Sequence, residues 1–183
     1  MLAIVAVVIY VFALGYAAVR DLLSYEIPNW VSLAIVGGFF ALAYAGSFDL
    51  AVVGWHVSAG AAVLVAGAIL FYAGIVGGGD AKLLAACAVW TGWSGLFDLC
   101  IFVALFGGVL ALCFLVTRRL RLPASWMEIE WLRRLHSPEQ GIPYGVAIGL
   151  GGILVMRDLP LVSESASGAI ASLLSALPLA AFA

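Results

Sequence analysis

The stretch LAVVGWHVSAGAAVLVAGAILFYAGIVGGG, residues 50–79, contains no Asp, Glu, Lys or Arg and is followed directly by Asp80. Crossing the hydrocarbon core of a bilayer takes roughly 20 mostly apolar residues, with a range of about 17–25. The stretch is therefore long enough to form one membrane span. Because it is longer than one span needs, we expect its glycine-rich end to lie outside the helix.

The composition of the whole chain is that of a membrane protein. Of its 183 residues, 66% are hydrophobic and only 10% are charged, whereas soluble domains average roughly 45–50% apolar and about 25% charged residues. This excess argues against a soluble domain, and it excludes disorder because disordered chains are poor in apolar residues. A formal net charge of −2 leaves no basic surface for nucleic acid. We therefore expect a lipid bilayer, and no nucleic acid, among the partners.

Charge-free runs recur along the chain, and the first six predict an all-α, polytopic bundle of about six transmembrane helices. A seventh run near the C-terminus contains four serines and a proline, so a weak span, an interfacial helix and a loose tail all stay open for it. The seven runs are residues 1–19, 27–48, 50–79, 83–97, 99–117, 140–156 and 165–183.

The basic residues predict the orientation of this bundle. With six helices, the loops near residues 20–28, 76–82 and 117–141 share one face and carry seven of the eight Lys and Arg residues. Only Arg157 falls on the opposite face. Because basic residues are in excess in cytoplasmic loops, we expect this face, with the long loop 117–141, to be cytoplasmic and the N-terminus to lie outside.

Asp21 and Asp80 stand out among the ten acidic residues because each lies where a predicted span meets the cytoplasmic face. Ionisable groups at membrane depth are costly and usually face the bundle interior. Two carboxylates that converge on one water can hydrolyse an amide, since one takes a proton from the water while the other polarises the carbonyl. The helix dipoles favour Asp80, before the fourth helix, as the base and Asp21, after the first, as the acid.

Five neighbouring residues are candidates for substrate binding or support, and each also has a simpler structural explanation. Gly77 and Gly79 give a permissive backbone that an extended substrate can approach, although glycines also end helices. We expect Lys82 either to pair with a carboxylate or to extend to the membrane interface. Pro28 and Asn29 suit the start of the second helix, where Asn29 can bond free backbone groups.

Taken together, these residues resemble the motifs of the type IV prepilin peptidases, a family of G-x-G-D intramembrane aspartyl proteases. Residues 77–80, GGGD, fit G-x-G-D, and residues 82–83, KL, extend the motif to G-x-G-D-x-K-L. Asp21 followed by residues 27–29, IPN, resembles the first motif, D-x-x-x-x-x-I-P-N. Residues 142–147, IPYGVA, resemble a third family segment at the start of the last helix.

The resemblance implies an integral membrane endopeptidase in which Asp21 and Asp80 are the catalytic pair and no metal or other cofactor takes part. Such enzymes cut the leader from prepilins or pseudopilins at the cytoplasmic face of the inner (plasma) membrane. The cut typically follows a glycine just before the hydrophobic helix of the substrate. We expect one six-helix peptidase domain over residues 1–157 and a hydrophobic tail of open structure over residues 158–183.

The sequence also differs from the larger members of the family it resembles. Those members carry an insertion between the first two helices, with paired C-x-x-C motifs, associated with N-methylation of the mature pilin. Here that loop covers only about residues 20–28, and the three cysteines form no C-x-x-C pair. The chain therefore resembles the small, peptidase-only form of Flp-type (tight-adherence) pilus systems.

Two functions of other classes stay open from the residues alone. Intramembrane carboxylates also suit a small proton or cation transporter, although both acids lie at one face and no charged residue continues a path through a span. A scaffold subunit of a pilus or secretion assembly would use Asp21 and Asp80 only for topology. Leader processing by variants of the two aspartates distinguishes the three.

Overall fold

The computed structural model of the chain describes residues 2–119, 129, 133 and 141–157. Most of the predicted loop 117–141 and all of the predicted tail 158–183 lie outside the described residues. The described part contains five helices and no strand, which confirms the all-α class. In chain order they are α1 Leu2–Ser24, α2 Asn29–Ala45, α3 Leu50–Tyr72, α4 Gly78–Thr117 and α5 Tyr144–Arg157.

Three of the helices, α1, α3 and α4, are long and apolar enough to cross a membrane. The other two apolar helices, α2 and α5, are shorter. Most large side chains on the outside of the bundle are apolar, as expected where lipid rather than water is the solvent. Six crossings and an outside N-terminus stay predictions.

The buried face of α1 determines where Asp21 points. The buried positions of this helix recur every three or four residues, so they form one stripe towards the core. Asp21 is the last member of that stripe, and the helix ends three residues later at Ser24. The stripe consists of Ala6, Tyr10, Ala13, Leu14, Ala17 and Asp21.

Both ends of α4 lie at the same end of the bundle. Near its start, a Cβ added at Gly79 would lie 3.2 Å from Ile27, and one added at Gly145 in α5 would lie 2.9 Å from the same side chain. Directly after its end, Arg118 donates to the backbone oxygen of Gly141 at 3.2 Å. A straight helix of this length would separate its ends by about 60 Å. The two halves of α4 must therefore run in opposite directions.

The chain reverses at Gly92, where φ is 60° and ψ is −170°. This backbone conformation is essentially restricted to glycine. The charge-free runs 83–97 and 99–117 predicted two helices connected at residues 92–98. The chain turns at Gly92, the first of these residues, and Asp98 itself lies inside the helix that follows. Another prediction is confirmed: α3 ends at Tyr72 and most of the glycine-rich stretch lies outside it.

The core of the bundle satisfies its buried polar groups. Tyr10 of α1 donates from its hydroxyl to Gly152 O in α5 at 3.2 Å, and Trp90 Nε1 donates to Ile35 O in α2 at 2.8 Å. Such bonds matter because an unpaired polar group in an apolar interior costs several kcal/mol, roughly 2–7 depending on the reference. They tie α1 to α5 and α2 to α4, and so hold the helix ends around the cleft described below.

Substitution of Gly92 tests the reversal in α4. We expect Gly92→Ala to lower the free energy of unfolding by about 1–3 kcal/mol, because alanine is strained in this conformation and its Cβ would lie 3.0 Å from the His56 ring. Gly108→Ala, in the same helix with nothing within 4 Å of the added Cβ, is the control. Chemical denaturation in detergent micelles measures both, and equal stability of Gly92→Ala and wild type would contradict the assignment.

Candidate active site

A cleft of about 480 Å³ opens at the end of the bundle where α1 ends and α2 and α4 begin. Residues from two distant stretches of the sequence line this one cavity, together with the Tyr25–Pro28 connection between α1 and α2. The lining includes every residue that the sequence nominated for the site, namely Asp21, Pro28, Asn29, Gly77, Gly79, Asp80 and Lys82.

Asp21 is held by a backbone hydrogen bond from the last helix. Its side chain is 5% exposed, and its Oδ2 accepts from the N–H of Gly145 at 2.6 Å. A hydrogen bond to a charged group is worth roughly 1.5–3 kcal/mol, more than a bond between neutral groups. The N–H of Gly145 therefore stabilises the carboxylate form of Asp21 and fixes the direction of its side chain.

Asp80 lies in the first turn of α4 and is only partly satisfied. Its Oδ1 is buried and has no hydrogen-bond partner among the described residues. A buried oxygen without a partner is costly unless it carries a proton, binds water or meets a ligand. The positive end of the α4 dipole favours an anion here, but by only about 0.3–1 kcal/mol. Asp80 thus keeps one buried carboxyl oxygen whose hydrogen-bonding capacity is unused among the described residues.

The glycines around the aspartates allow close approach rather than unusual backbone angles. Gly77 has an ordinary φ of −67°, so the expectation that it supplies a special conformation is wrong. A Cβ at Gly77 would lie 2.8 Å from Asp80 Oδ2, and one at Gly145 would lie 2.8 Å from Asp21 Oδ2. A Cβ at Gly79 would lie 3.2 Å from the Cβ of Ile27. Larger residues at these positions would push the carboxylates or the neighbouring chain away.

Lys82 and Asn29 join the starts of α4 and α2. The ammonium group of Lys82 donates to Asn29 Oδ1 at 2.9 Å. The sequence offered a carboxylate or the membrane interface as the destination of Lys82. The structure shows an amide oxygen rather than a carboxylate as its partner, and the side chain is exposed. The side-chain oxygen of Asn29 thus accepts a hydrogen bond that links α2 to α4. Pro28 directly precedes α2 and has an extended backbone, with φ −63° and ψ 139°.

Tyr25 is a cleft residue that the sequence analysis missed. It ends α1 in the left-handed region with φ 56°, and its N–H donates to Asp21 O at 2.9 Å. Burial raises the pKa of Tyr25 above its ordinary value; the Arg118 guanidinium opposes this shift and the Asp21 carboxylate adds to it. A bulky residue in this backbone region is strained, and such strain is often found at functional sites. The sequence did not indicate a turn at Tyr25, because tyrosine has no preference for the left-handed region.

Gly145 was also missed as a partner of Asp21, although the sequence placed it in a family-like segment. A glycine at the start of an apolar helix indicates close packing in general, but not the group that packs against it. Ile27, which contacts the starts of both α4 and α5, gave no chemical signal either.

The arrangement can perform acid–base chemistry on a bound amide or ester. Two carboxylates line one cleft, one with a bonded oxygen and one with a free oxygen. Among the residues that the structure describes, His, Cys, Asp and Glu form no group of three or more that could hold a metal ion. An all-helical chain with membrane-length apolar helices and such a pair has the features expected of a hydrolase acting at a membrane surface.

Comparison with protein-family models places the chain in a known family. The model of the type IV leader peptidase family matches residues 8–112, which is more than half of the chain and includes both aspartates. The chain belongs to the type IV leader peptidase family. Searches of curated proteins and of solved structures returned no match. The matched range ends before Gly145, so the contact of this residue with Asp21 comes from the structure alone.

Substitution of Gly145 tests the support of Asp21. In Gly145→Ala the added Cβ would lie 2.8 Å from Asp21 Oδ2 and 2.9 Å from Asp21 Cβ, so the carboxylate must shift. We expect leader cleavage to fall by about 100-fold, because a displacement of about 1 Å in an active site can cost this much in rate. Gly141→Ala, where nothing lies within 4 Å of the added Cβ, should cleave like wild type. Equal cleavage rates for both variants would contradict this role of Gly145.

Proposed function

We propose that this leader peptidase is an aspartyl endopeptidase in which Asp21 and Asp80 act as one catalytic pair. Its substrates are the leaders of type IV prepilins or pseudopilins of the Flp type, cut at the cytoplasmic face of the inner membrane. The observation that carries the proposal is the shared cleft: both carboxylates lie in it, one on α1 and one on α4.

The hydrogen bonding supports a specific division of roles. Asp21, which accepts from Gly145 N–H, begins as the carboxylate and takes a proton from water. Asp80, whose Oδ1 lacks a partner among the described residues, begins protonated and gives its proton to the scissile carbonyl oxygen as the water oxygen bonds to the carbon. The hydrogen bond from Gly145 N–H stabilises a carboxylate at Asp21 by more than the α4 dipole stabilises one at Asp80. This assignment reverses the one expected from the helix dipoles alone.

Collapse of the tetrahedral intermediate returns the pair to its starting state. The carbonyl re-forms as its hydroxyl proton returns to Asp80, and the bond from carbon to nitrogen breaks. Asp21 gives the proton that it took from water to the leaving nitrogen, which departs as the new N-terminus. One water is consumed, and each aspartate recovers its original proton count, as a dyad that shares one proton requires.

The distribution of described basic residues supports a cytoplasmic cleft. Arg20, Lys82, Arg118 and Arg119 all belong to segments at the cleft end of the bundle, whereas α5 carries Arg157 at the end that leads away from it. Basic residues are enriched on the cytoplasmic side of inner-membrane proteins. A leader that has not crossed the membrane would meet the aspartates on this side.

The connection between α1 and α2 supports a peptidase without a methyltransferase domain. Only residues 25–28 separate Ser24 from Asn29, and these residues line the cleft. No inserted domain fits between the two helices, and the sequence contains no C-x-x-C pair. We therefore propose a single activity, the removal of the leader.

Asparagine variants of the two aspartates test the proposed function. Co-expression with a short candidate prepilin, which has a basic leader, a glycine and one apolar helix, gives cleavage that mass spectrometry of the new N-terminus quantifies. We expect Asp21→Asn and Asp80→Asn each to slow cleavage by roughly 10²–10⁴-fold, the usual contribution of a general acid or base.

The control for this experiment is Asp98→Asn, which changes an exposed aspartate in the second half of α4. It should process the prepilin at the wild-type rate. Wild-type rates in either Asp21→Asn or Asp80→Asn would exclude the dyad and favour the transporter or scaffold alternatives.

A further inference from the structure

A second cavity of about 490 Å³ lies between α2 and α3, on the surface of the first half of α4. Its lining is almost entirely apolar, so we call it the apolar groove. Leu33 and Val36 of α2, Ala61 and Leu64 of α3, and Ala85 and Val89 of α4 form its walls and floor. Leu33 and Leu64 are 70% and 45% exposed, so the groove is open to the surroundings of the bundle.

Beyond the end of the groove that lies away from the cleft, α2 and α3 contact each other. There the ring of Phe39 in α2 stacks on His56 in α3, with centroids 5.2 Å apart. His56 Nδ1 also donates to Val89 O in α4 at 2.9 Å. Elsewhere α2 and α3 are not packed on each other, although each packs on α4. The two helices therefore diverge from this contact towards the cleft.

At its other end the apolar groove joins the catalytic cleft. Asn29 and Lys82 line both cavities, and the hydrogen bond between them lies at the junction. Asp80 is two residues before Lys82, so the groove begins directly beside the catalytic pair. From Lys82 to Val89 the floor extends along α4 for about 10 Å, or two helical turns.

A chain that leaves the cleft through the groove meets specific physical constraints. Its side chains have to be apolar, because the lining offers almost no polar group beyond the junction. Its backbone has to satisfy its own hydrogen bonds, because lipid supplies none, and a helix is the structure that does so. Small side chains such as Ala61 and Ala85 let a second helix come close, which is how helices associate in lipid.

We propose that the apolar groove binds the first two helical turns of the apolar segment that follows the scissile bond in the substrate. This inference rests on the proposed function and adds a binding site to it. The apolar helix in the groove holds the junction between leader and helix at Asp21 and Asp80. The Phe39–His56 contact limits how far the helix reaches, and so sets which bond lies at the dyad.

Filling the groove tests this site by kinetics. Ala61→Leu adds bulk to an exposed wall position, so the fold should tolerate it. We expect KM for a full-length prepilin to rise by about tenfold or more. KM should stay unchanged for a truncated peptide that keeps the scissile bond but ends two residues after it. The control is Ala104→Leu, at an exposed position in the second half of α4, outside the groove. It should leave both substrates unaffected.

Photo-crosslinking identifies the occupant directly. In an Asp80→Asn background that does not cleave, Leu64 is replaced by p-benzoylphenylalanine, with Leu112, 65% exposed on α4 and outside the groove, as the control position. We expect Leu64 to crosslink to the first two turns of the apolar helix of the prepilin, and Leu112 to give no such product. Crosslinks to phospholipid alone, or equal prepilin crosslinks from both positions, would overturn the proposal.

The outcomes separate failure of this site from failure of the proposed function. If Asp21→Asn and Asp80→Asn still cleave, the dyad is wrong whatever the groove binds. If those variants are inactive while Ala61→Leu behaves like Ala104→Leu on both substrates, the dyad stands and the groove proposal is wrong.

Discussion

The N–H of Gly145 donates a 2.6 Å hydrogen bond to Oδ2 of Asp21, and this contact joins the end of α1 to the start of α5 across 124 positions of sequence. A carboxylate buried in an apolar bundle needs such a partner, since burial without one costs far more than the bond contributes. Glycine is required at position 145 because any side chain would occupy the space of Asp21 and Ile27. Ile27 also lies against Gly79 at the start of α4, so the same junction positions the helix turn that carries Asp80.

The rest of the bundle contrasts with this junction in how its polar groups are paired. Away from the cleft, Tyr10, His56 and Trp90 all bond backbone oxygens across helices. In the cleft, Asp80 keeps a buried oxygen without a partner among the described residues, and Tyr25 keeps a strained backbone. Among the described residues, the buried side-chain atoms without a hydrogen-bond partner are Asp80 Oδ1, Tyr25 OH and Arg20 Nε, which all belong to residues at the cleft end of the bundle. The apolar groove starts from that end, where it shares Asn29 and Lys82 with the cleft.

The sequence predicted the class of fold, and it nominated residues that line the cleft, for reasons that are physical. Membrane helices need long apolar runs, and Asp21 and Asp80 were conspicuous because they end or follow such runs. Their meeting in one cleft then followed from the alternation of helix direction. The reversal in α4 could be located only to residues 92–98, because no local pattern shows that Gly92 adopts a backbone conformation restricted to glycine. The role of Gly145 was hidden as well, since it depends on a contact between distant helices that no local pattern encodes.

The central claim is that Asp21 and Asp80 form one acid–base unit. Carbon-13 NMR titration of the aspartate carboxyl groups in the detergent-solubilised protein tests this claim, and it needs no substrate. Groups that share a proton titrate as a pair, so removing one changes the titration of the other. The account predicts that Asp21→Asn changes the pH dependence of the Asp80 signal, whereas Asp98→Asn does not. An Asp80 titration curve that is identical in wild type and Asp21→Asn would contradict it.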